Sequence, residues 1–224
     1  MPRLGTPTKR KYSEHRWGEK GQAPDHENII NRTLFMDPHE HFNTIAKEYD
    51  YWKSKNAYYY ETLKKLLTSL DPSGSYLVEI GCGTGDILAS LAPSVGLGID
   101  ISEMMVTLAR QKHINHSELS FLTTDLSAIA QPLPHDYFVS VDVLEHIAHL
   151  PEFLGHLNRI TKPGANIIIT LANPLWEPIL MLTEKLGMKM PEGPHWRLSI
   201  KENEKLFRDQ GWQIQERGYR LLIP

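Results

Sequence analysis

Cysteine is almost absent from this chain. Cys82 is the one thiol in 224 residues, so no internal disulfide can form and a zinc site built on cysteines is excluded. Such usage fits a reducing compartment. Long apolar runs are missing too. No stretch approaches the roughly 18 consecutive apolar residues of a membrane span, and the opening "MPRLGTPTKRKYSEHRWGEKGQ" lacks the hydrophobic core of a secretory signal. The expected location is the cytoplasm. Neither sign of charge dominates: the net charge is -3, which does not suit a molecule that binds polyanions as a whole. Hydrophobic residues at 41% and charged residues at 23% make an ordinary globular composition. The length suits one domain with a sizeable core. Internal repeats and low-complexity blocks are lacking.

Basic charge is concentrated at the start, where Arg3, Lys9, Arg10, Lys11, Arg16 and Lys20 face only Glu14 and Glu19 within the first 20 residues. Residues 1–36 are therefore expected to form a flexible basic arm. Two readings stand: a solvated tail, or a clamp for an anionic substrate or surface. Residues 37–224 are expected to form the folded domain.

Residues 39–70 read as two helices, with Phe42, Ile45 and Tyr49 on one face and Tyr59, Leu63, Leu66, Leu67 and Leu70 on another. After the turn "DPSG" at 71–74, strands and helices alternate. Strands are predicted at 75–80, 95–99, 119–123, 136–141 and 165–172. Helices are predicted at 84–92, at 102–112 capped by Ser102, and at 151–160 opened by Pro151. Ser199 and Glu202 form a capping box for a helix that Gly211 stops, and a sixth strand is predicted from Trp212 on. The fold class expected is α/β: a doubly wound, Rossmann-like, mostly parallel sheet with helices on both faces and an N-terminal helical extension.

In such a sheet the ligand lies beyond the carboxyl ends of the strands. "VEIGCGTGD", residues 78–86, occupies that place after the first strand. Its spacing is G-x-G-x-G at Gly81, Gly83 and Gly85, whereas a dinucleotide site wants G-x-G-x-x-G and a bare helix N-terminus for pyrophosphate. Asp86 in the first helical turn would repel a diphosphate there, and Glu79 adds more negative charge. Both acids suit a cationic ligand such as S-adenosylmethionine, which carries a sulfonium and an ammonium. Asp100, nineteen residues after Gly81, can take both ribose hydroxyls through its two oxygens. Asp125 in "TTDLS" stands where it can accept from an adenine amino group, with Leu126 against the ring; the alternative for Asp125 is a helix cap.

Taken in order, "VEIGCGTGD", "GIDIS", "TTDLS", "DYFVSVDVLEHI" and "ITKPGANIIIT" resemble the class I S-adenosylmethionine-dependent methyltransferases. The resemblance spans about residues 40–218. It implies that Gly81, Gly83 and Gly85 pack on the methionine part of the cofactor, that Asp100 and Asp125 lie at ribose and adenine, and that the backbone at Val141 lines the methionine pocket. It also places Tyr49, Glu79, Ile101 and Leu126 among the cofactor-binding residues. "VDVLEH" differs from the Asn/Asp-Pro-Pro-Tyr loop of enzymes that methylate amino groups of DNA bases. "LEHI" together with "PHWRLSIKENEKLFRDQGW" is similar to the small-molecule branch typified by ubiquinone-biosynthesis O-methyltransferases.

That resemblance implies a small-molecule acceptor, methylated at oxygen or nitrogen; the apolar residues of 173–198, read as a cover, suit an apolar or lipid-like one. The alternatives are an enzyme acting on RNA or protein, or a fold retained as a non-catalytic cofactor-binding module. No recognised nucleic-acid-binding motif accompanies the basic arm. Methyl transfer to oxygen or nitrogen calls for alignment and for a base; His146 and His195 are the candidates, each with the alternative of a structural histidine. His149 is expected to face solvent. Asp142, Glu145 and His146 spell D-x-x-E-H, similar to the E-x-x-E-H of some metal-dependent methyltransferases. That similarity makes them candidate magnesium ligands, with pocket lining or helix capping as the alternative.

The stretch 173–198 holds Trp176, Ile179, Leu182 and Leu186, then Pro191, Gly193 and Pro194 ahead of His195, Trp196 and Arg197. It reads either as a core helix or as a mobile helical cover over the substrate. In the second case Trp176 and Trp196 would wall the acceptor and Arg197 would pair with an acidic group on it; peripheral membrane contact is a further option. The superfamily sheet usually carries a seventh strand. The chain stops at "YRLLIP", so a missing last strand, a longer natural chain or a partner at the open edge is expected. Oligomeric state is not legible.

Overall fold

A computed structural model describes residues 37–171 and 198–218. The helical extension consists of α1 (Pro38–Lys55) and α2 (Ala57–Thr68). Asp37 caps α1 by accepting from the amide of His39, and Pro38 at the first helical position is preorganised for the turn. The sheet strands are β1 (Tyr76–Ile80), β2 (Val95–Asp100), β3 (Leu119–Thr123), β4 (Tyr137–Val141) and β5 (Asn166–Thr170). Between them lie α3 (Asp86–Ser90), α4 (Glu103–Lys112) and α5 (Leu150–Ile160), and α6 (Ile200–Asp209) follows.

All described ladders are parallel, in the order β3-β2-β1-β4-β5. The chain winds outward from β1 to β3, then crosses to the other side of β1 to lay down β4. The reversal leaves a crevice between the carboxyl ends of β1 and β4, where doubly wound sheets hold ligands.

Side-chain alternation divides the core. Leu77 and Val139 face one layer with Leu63 and Leu67 of α2, Leu88 of α3 and Val106 of α4. Val78, Ile80 and Phe138 face the other, against Leu154, Leu157 and Ile160 of α5, with Leu206 and Phe207 of α6 packed alongside. The helix signals act as read. Ser102 accepts from the amide of Met105 at 3.1 Å, and Ser199 and Glu202 complete their reciprocal cap.

Two expectations need correction. The helix predicted at 84–92 is only Asp86–Ser90, because Gly85 at φ 81 is its N-cap and Ala92 leaves it at φ 47. The strand predicted from Trp212 is not formed in residues 212–218. There the Trp212 amide donates to the Phe207 carbonyl at 3.0 Å, and Arg217 reaches Glu204 of α6 at 3.3 Å, so no ladder is made. The described sheet thus has five strands where six were predicted. No described helix is long and apolar enough to cross a membrane.

Candidate functional site

The turn after β1 is tied to the end of β2. The amides of Gly81 and Cys82 both donate to the carbonyl of Ile99, at 2.8 and 3.1 Å. Gly81, at φ 72, needs both its conformation and its missing Cβ, since a methyl there would lie 2.4 Å from Cγ2 of Val143. A Cβ at Gly83 would come within 3.2 Å of the Tyr49 ring. Asp100, at the end of β2, accepts from the Gly83 amide and the Ser102 amide, each at 2.8 Å. Burial pushes its carboxyl up despite these amide bonds, which pull the other way.

A cavity of about 220 Å³ opens here. Tyr49, Glu79, Gly81, Gly83, Asp100, Ile101, Asp125 and Leu126 line it. Val141, at the end of β4, lines it as well. Gly85 is not a lining residue: a Cβ on it would meet Phe121 and His113 behind the turn, so its place is to cap α3. Asp125 acts as a cap as well, accepting from the Ser127 amide at 2.7 Å.

Glu79 is buried under the turn and accepts from the Leu88 amide at 2.9 Å. Burial pushes its carboxyl up to about 8, against the opposing pull of Lys53 and of that amide bond. The pocket is thus acidic in character but holds at least one carboxyl that gains a proton readily.

Beyond β4 the chain turns sharply at Asp142, whose φ of 52 is unusual for a residue with a side chain. The Tyr59 hydroxyl donates to Asp142 Oδ2. Thr170 at the end of β5 donates to Asp142 Oδ1 at 2.9 Å and accepts from the Asp142 amide at 3.2 Å. These contacts join α2, β4 and β5 beside the cavity, which Tyr59 and Asp142 line. Burial, and then the Asp142 charge, hold the Tyr59 phenol well above its ordinary range.

The predicted magnesium site is not assembled. Among the described residues no group of three acidic, histidine or cysteine side chains could hold a metal ion. Both Asp142 oxygens are engaged with hydroxyls, Glu145 is buried on a 3-10 turn, and the His146 ring packs edge-on against Phe42 with centroids 5.2 Å apart. All three still line the cavity. His149 is exposed, as expected.

Several lining residues escape a reading of sequence alone. Phe42, Tyr59 and Tyr60 supply aromatic wall, and Lys53 lies among them. The Lys53 ammonium stands over the rings of Tyr60 and Tyr49, 4.8 and 5.3 Å from their centroids. Their spacing was a usable signal, since Tyr49 and Lys53 are one turn apart on α1. Asp50 on the same helix accepts from Thr84 of the glycine turn at 2.6 Å and pairs with Lys112 of α4 at 2.7 Å. Asp86 is held by Lys112 at 2.7 Å and by Lys53 at 3.5 Å. Burial opposes its ionisation, but the two ammoniums prevail and its carboxyl lies below the ordinary range. The extension is thereby fastened over the cofactor turn. His195, Trp176, Trp196 and Arg197, with most of the predicted cover, lie outside the described residues.

The chain matches the methyltransferase domain family over residues 51–217. Demethylmenaquinone methyltransferase of Symbiobacterium thermophilum is 27% identical over 183 residues, covering 67% of this chain and 72% of that protein. The mitochondrial ubiquinone biosynthesis O-methyltransferase of Schizosaccharomyces pombe is 24% identical over 208 residues, covering 83% of this chain and 75% of that one. Among solved structures, a methyltransferase of Thermotoga maritima shares the fold with a TM-score of 0.64 at 20% identity, over 79% of this chain and 82% of that chain. Magnesium protoporphyrin IX methyltransferase of Synechocystis, solved with S-adenosylhomocysteine, does so with a TM-score of 0.60 at 21% identity, over 86% and 91%. A parallel sheet reversing at β1 and β4, a glycine turn shaped for close approach, an acid at the end of β2 and a match over most of the length lead to one conclusion: the chain belongs to the methyltransferase domain family and is a class I S-adenosylmethionine-dependent methyltransferase.

Proposed function

We propose that this enzyme methylates a hydroxyl oxygen on a small, apolar, lipid-like aromatic acceptor in the cytoplasm. The observation that carries the reading is the wall of the cavity beside the glycine turn. Phe42, Tyr59, Tyr60, Ile147 and Phe153 line it, a surface suited to a flat apolar ring. The names of the quinone-biosynthesis relatives support the same acceptor class. The cofactor supplies a methyl already activated on a sulfonium. Asp100 would orient its ribose, Asp125 and Leu126 its adenine, and Gly81, Gly83 and Val141 would admit its methionine end. Tyr49 and Ile101 would close over it. His146, on the wall next to Phe42, would take the proton from the acceptor hydroxyl. His195, Trp176, Trp196 and Arg197 remain candidates for covering and orienting the acceptor.

The test is incubation of the full chain with methyl-labelled cofactor and a panel of hydroxylated aromatics, with and without a polyprenyl tail, followed by mass spectrometry. Label on a ring oxygen, stronger with the tail, is the expected result. Label confined to nitrogen, to RNA or to protein would overturn the reading.

Glu79 gives a pH prediction. Below about 8 its carboxyl carries a proton in the empty site. A cationic ligand nearby favours the anion, so binding expels the proton. Affinity should therefore rise as pH rises from 6 and level off above about 8. Because the cofactor's own amino group titrates in this range, the readout is a difference. Calorimetry at pH 7 in two buffers of unlike ionisation enthalpy should show more proton release for wild type than for Glu79→Gln. Identical proton counts would show that Glu79 does not take part.

A further inference from the structure

We infer that Asp142 is the specificity-determining residue of the acceptor site: its carboxylate selects ring acceptors that are neutral or cationic and turns away those that carry a carboxylate of their own. The inference rests on the acceptor class proposed above and narrows it by charge. Asp142 lines the cavity directly after β4. The chain there has a φ of 52, and the side chain is pinned from two sides. Tyr59 of α2 donates to Oδ2, and Thr170 at the end of β5 donates to Oδ1 at 2.9 Å. Neither demand calls for a charge. Asparagine also adopts positive φ, and its amide can accept from one hydroxyl and donate to the other. The turn needs the shape of this side chain; its charge serves the cavity.

That cavity is acidic as a whole. Among the described residues that line it, Glu79, Asp100, Asp125, Asp142 and Glu145 are acids, and Lys53 is the only lysine or arginine. The Asp142 charge reaches across the aromatic wall: after burial, it is the largest cause that holds the Tyr59 phenol above its ordinary range. S-adenosylmethionine adds a sulfonium, which the acceptor hydroxyl has to meet. A carboxylate on the same ring would compete for that cation and present the wrong oxygen. A fixed anion on the acceptor wall opposes this, because like charges in a desolvated cavity repel far more strongly than in water. A neutral ring meets no such penalty, and a cationic one is attracted.

The test uses three alkyl-tailed phenols that differ in one ring substituent: a carboxylate, a carboxamide or an aminomethyl group. Their affinities for the full chain loaded with S-adenosylhomocysteine are measured by calorimetry, with turnover of methyl-labelled cofactor alongside. Wild type is expected to bind the carboxamide and aminomethyl phenols about 10- to 100-fold more tightly than the carboxylate. Asp142→Asn keeps the shape without the charge. It should cut the preference for carboxamide over carboxylate to less than about threefold, by strengthening the carboxylate while the carboxamide changes little. Equal affinities in wild type, binding of none of the three, or a preference that persists in Asp142→Asn would each overturn the inference. So would equal weakening of all three in the variant, which marks a packing role. Thermal melts check folding, and Asp142→Gly, which suits a φ of 52, gives the reading if the asparagine variant does not fold. The oxygen chemistry fails separately: binding in the expected order with no label on a ring oxygen would remove that reading and leave the charge preference standing.

Discussion

Asp100→Ala is expected to weaken S-adenosylmethionine binding by about tenfold or more and to lower the unfolding free energy by about 2–4 kcal/mol. Two effects combine. The carboxylate is the acceptor proposed for the ribose hydroxyls, and each charge-assisted contact contributes about 1.5–3 kcal/mol. It also satisfies the amides of Gly83 and Ser102, both buried. Truncation strands two buried donors, at about 1–3 kcal/mol each before local relaxation. The substitution is therefore not silent for the fold, which sequence reasoning alone would not reveal. Asn at this position keeps one acceptor oxygen but turns an N–H₂ group toward an amide donor, so it should fall between the two in stability. Calorimetry and urea melts, with and without S-adenosylhomocysteine, check both parts. Undiminished affinity in Asp100→Ala would remove this residue from the cofactor site.

Gly81→Ala should be nearly as damaging, by a different route. At φ 72 any side chain is strained, and the new methyl would lie 2.4 Å from Val143 Cγ2. Valine cannot swing away cheaply because its χ1 is restricted. Strain and overpacking together should cost about 2–4 kcal/mol. Val143 stands in the segment that carries Asp142, Glu145 and His146, so displacing it would disturb the acceptor side as well as the cofactor turn. The double variant Gly81→Ala, Val143→Ala removes the clash while leaving the backbone strain. It should recover about 1 kcal/mol or more of stability together with part of the cofactor affinity. If Val143→Ala gives no recovery, backbone strain alone accounts for the loss.

What could be read from the chain beforehand was its local chemistry. Ser102, Ser199 with Glu202, Pro151 and the glycine turn act over a few residues, and a window of a few residues is enough to see them. The strand alternation was equally visible, because each buried strand writes its own pattern. What escaped depends on partners far away in sequence. Lys53 looks like a solvated charge on an amphipathic helix until α2, β1 and the start of α3 bring Tyr60, Glu79 and Asp86 to it. Asp142 reads as a metal ligand, yet it meets Tyr59 from one side of the chain and Thr170 from the other. Gly85 looks like the third member of a cofactor loop, but its missing side chain makes room for Phe121. Trp212 and Ile214 alternate like a strand, and alternation alone cannot supply the neighbour that a ladder requires.

The sheet order has a consequence for when this site comes into being. β1, its glycine turn and β2 lie close together in sequence and can associate early. β4 joins β1 through the pairing of Leu77 with Tyr137, about sixty residues apart, with β2 and β3 on the opposite side of β1. Contacts of such separation form slowly because a long loop must close before anything is gained. The cofactor's half of the crevice can thus be in place before the wall that carries Val141, Asp142 and His146 arrives. The two halves of the site thus rest on contacts of different range: the cofactor turn on neighbours close in sequence, the acceptor wall on a closure of about sixty residues.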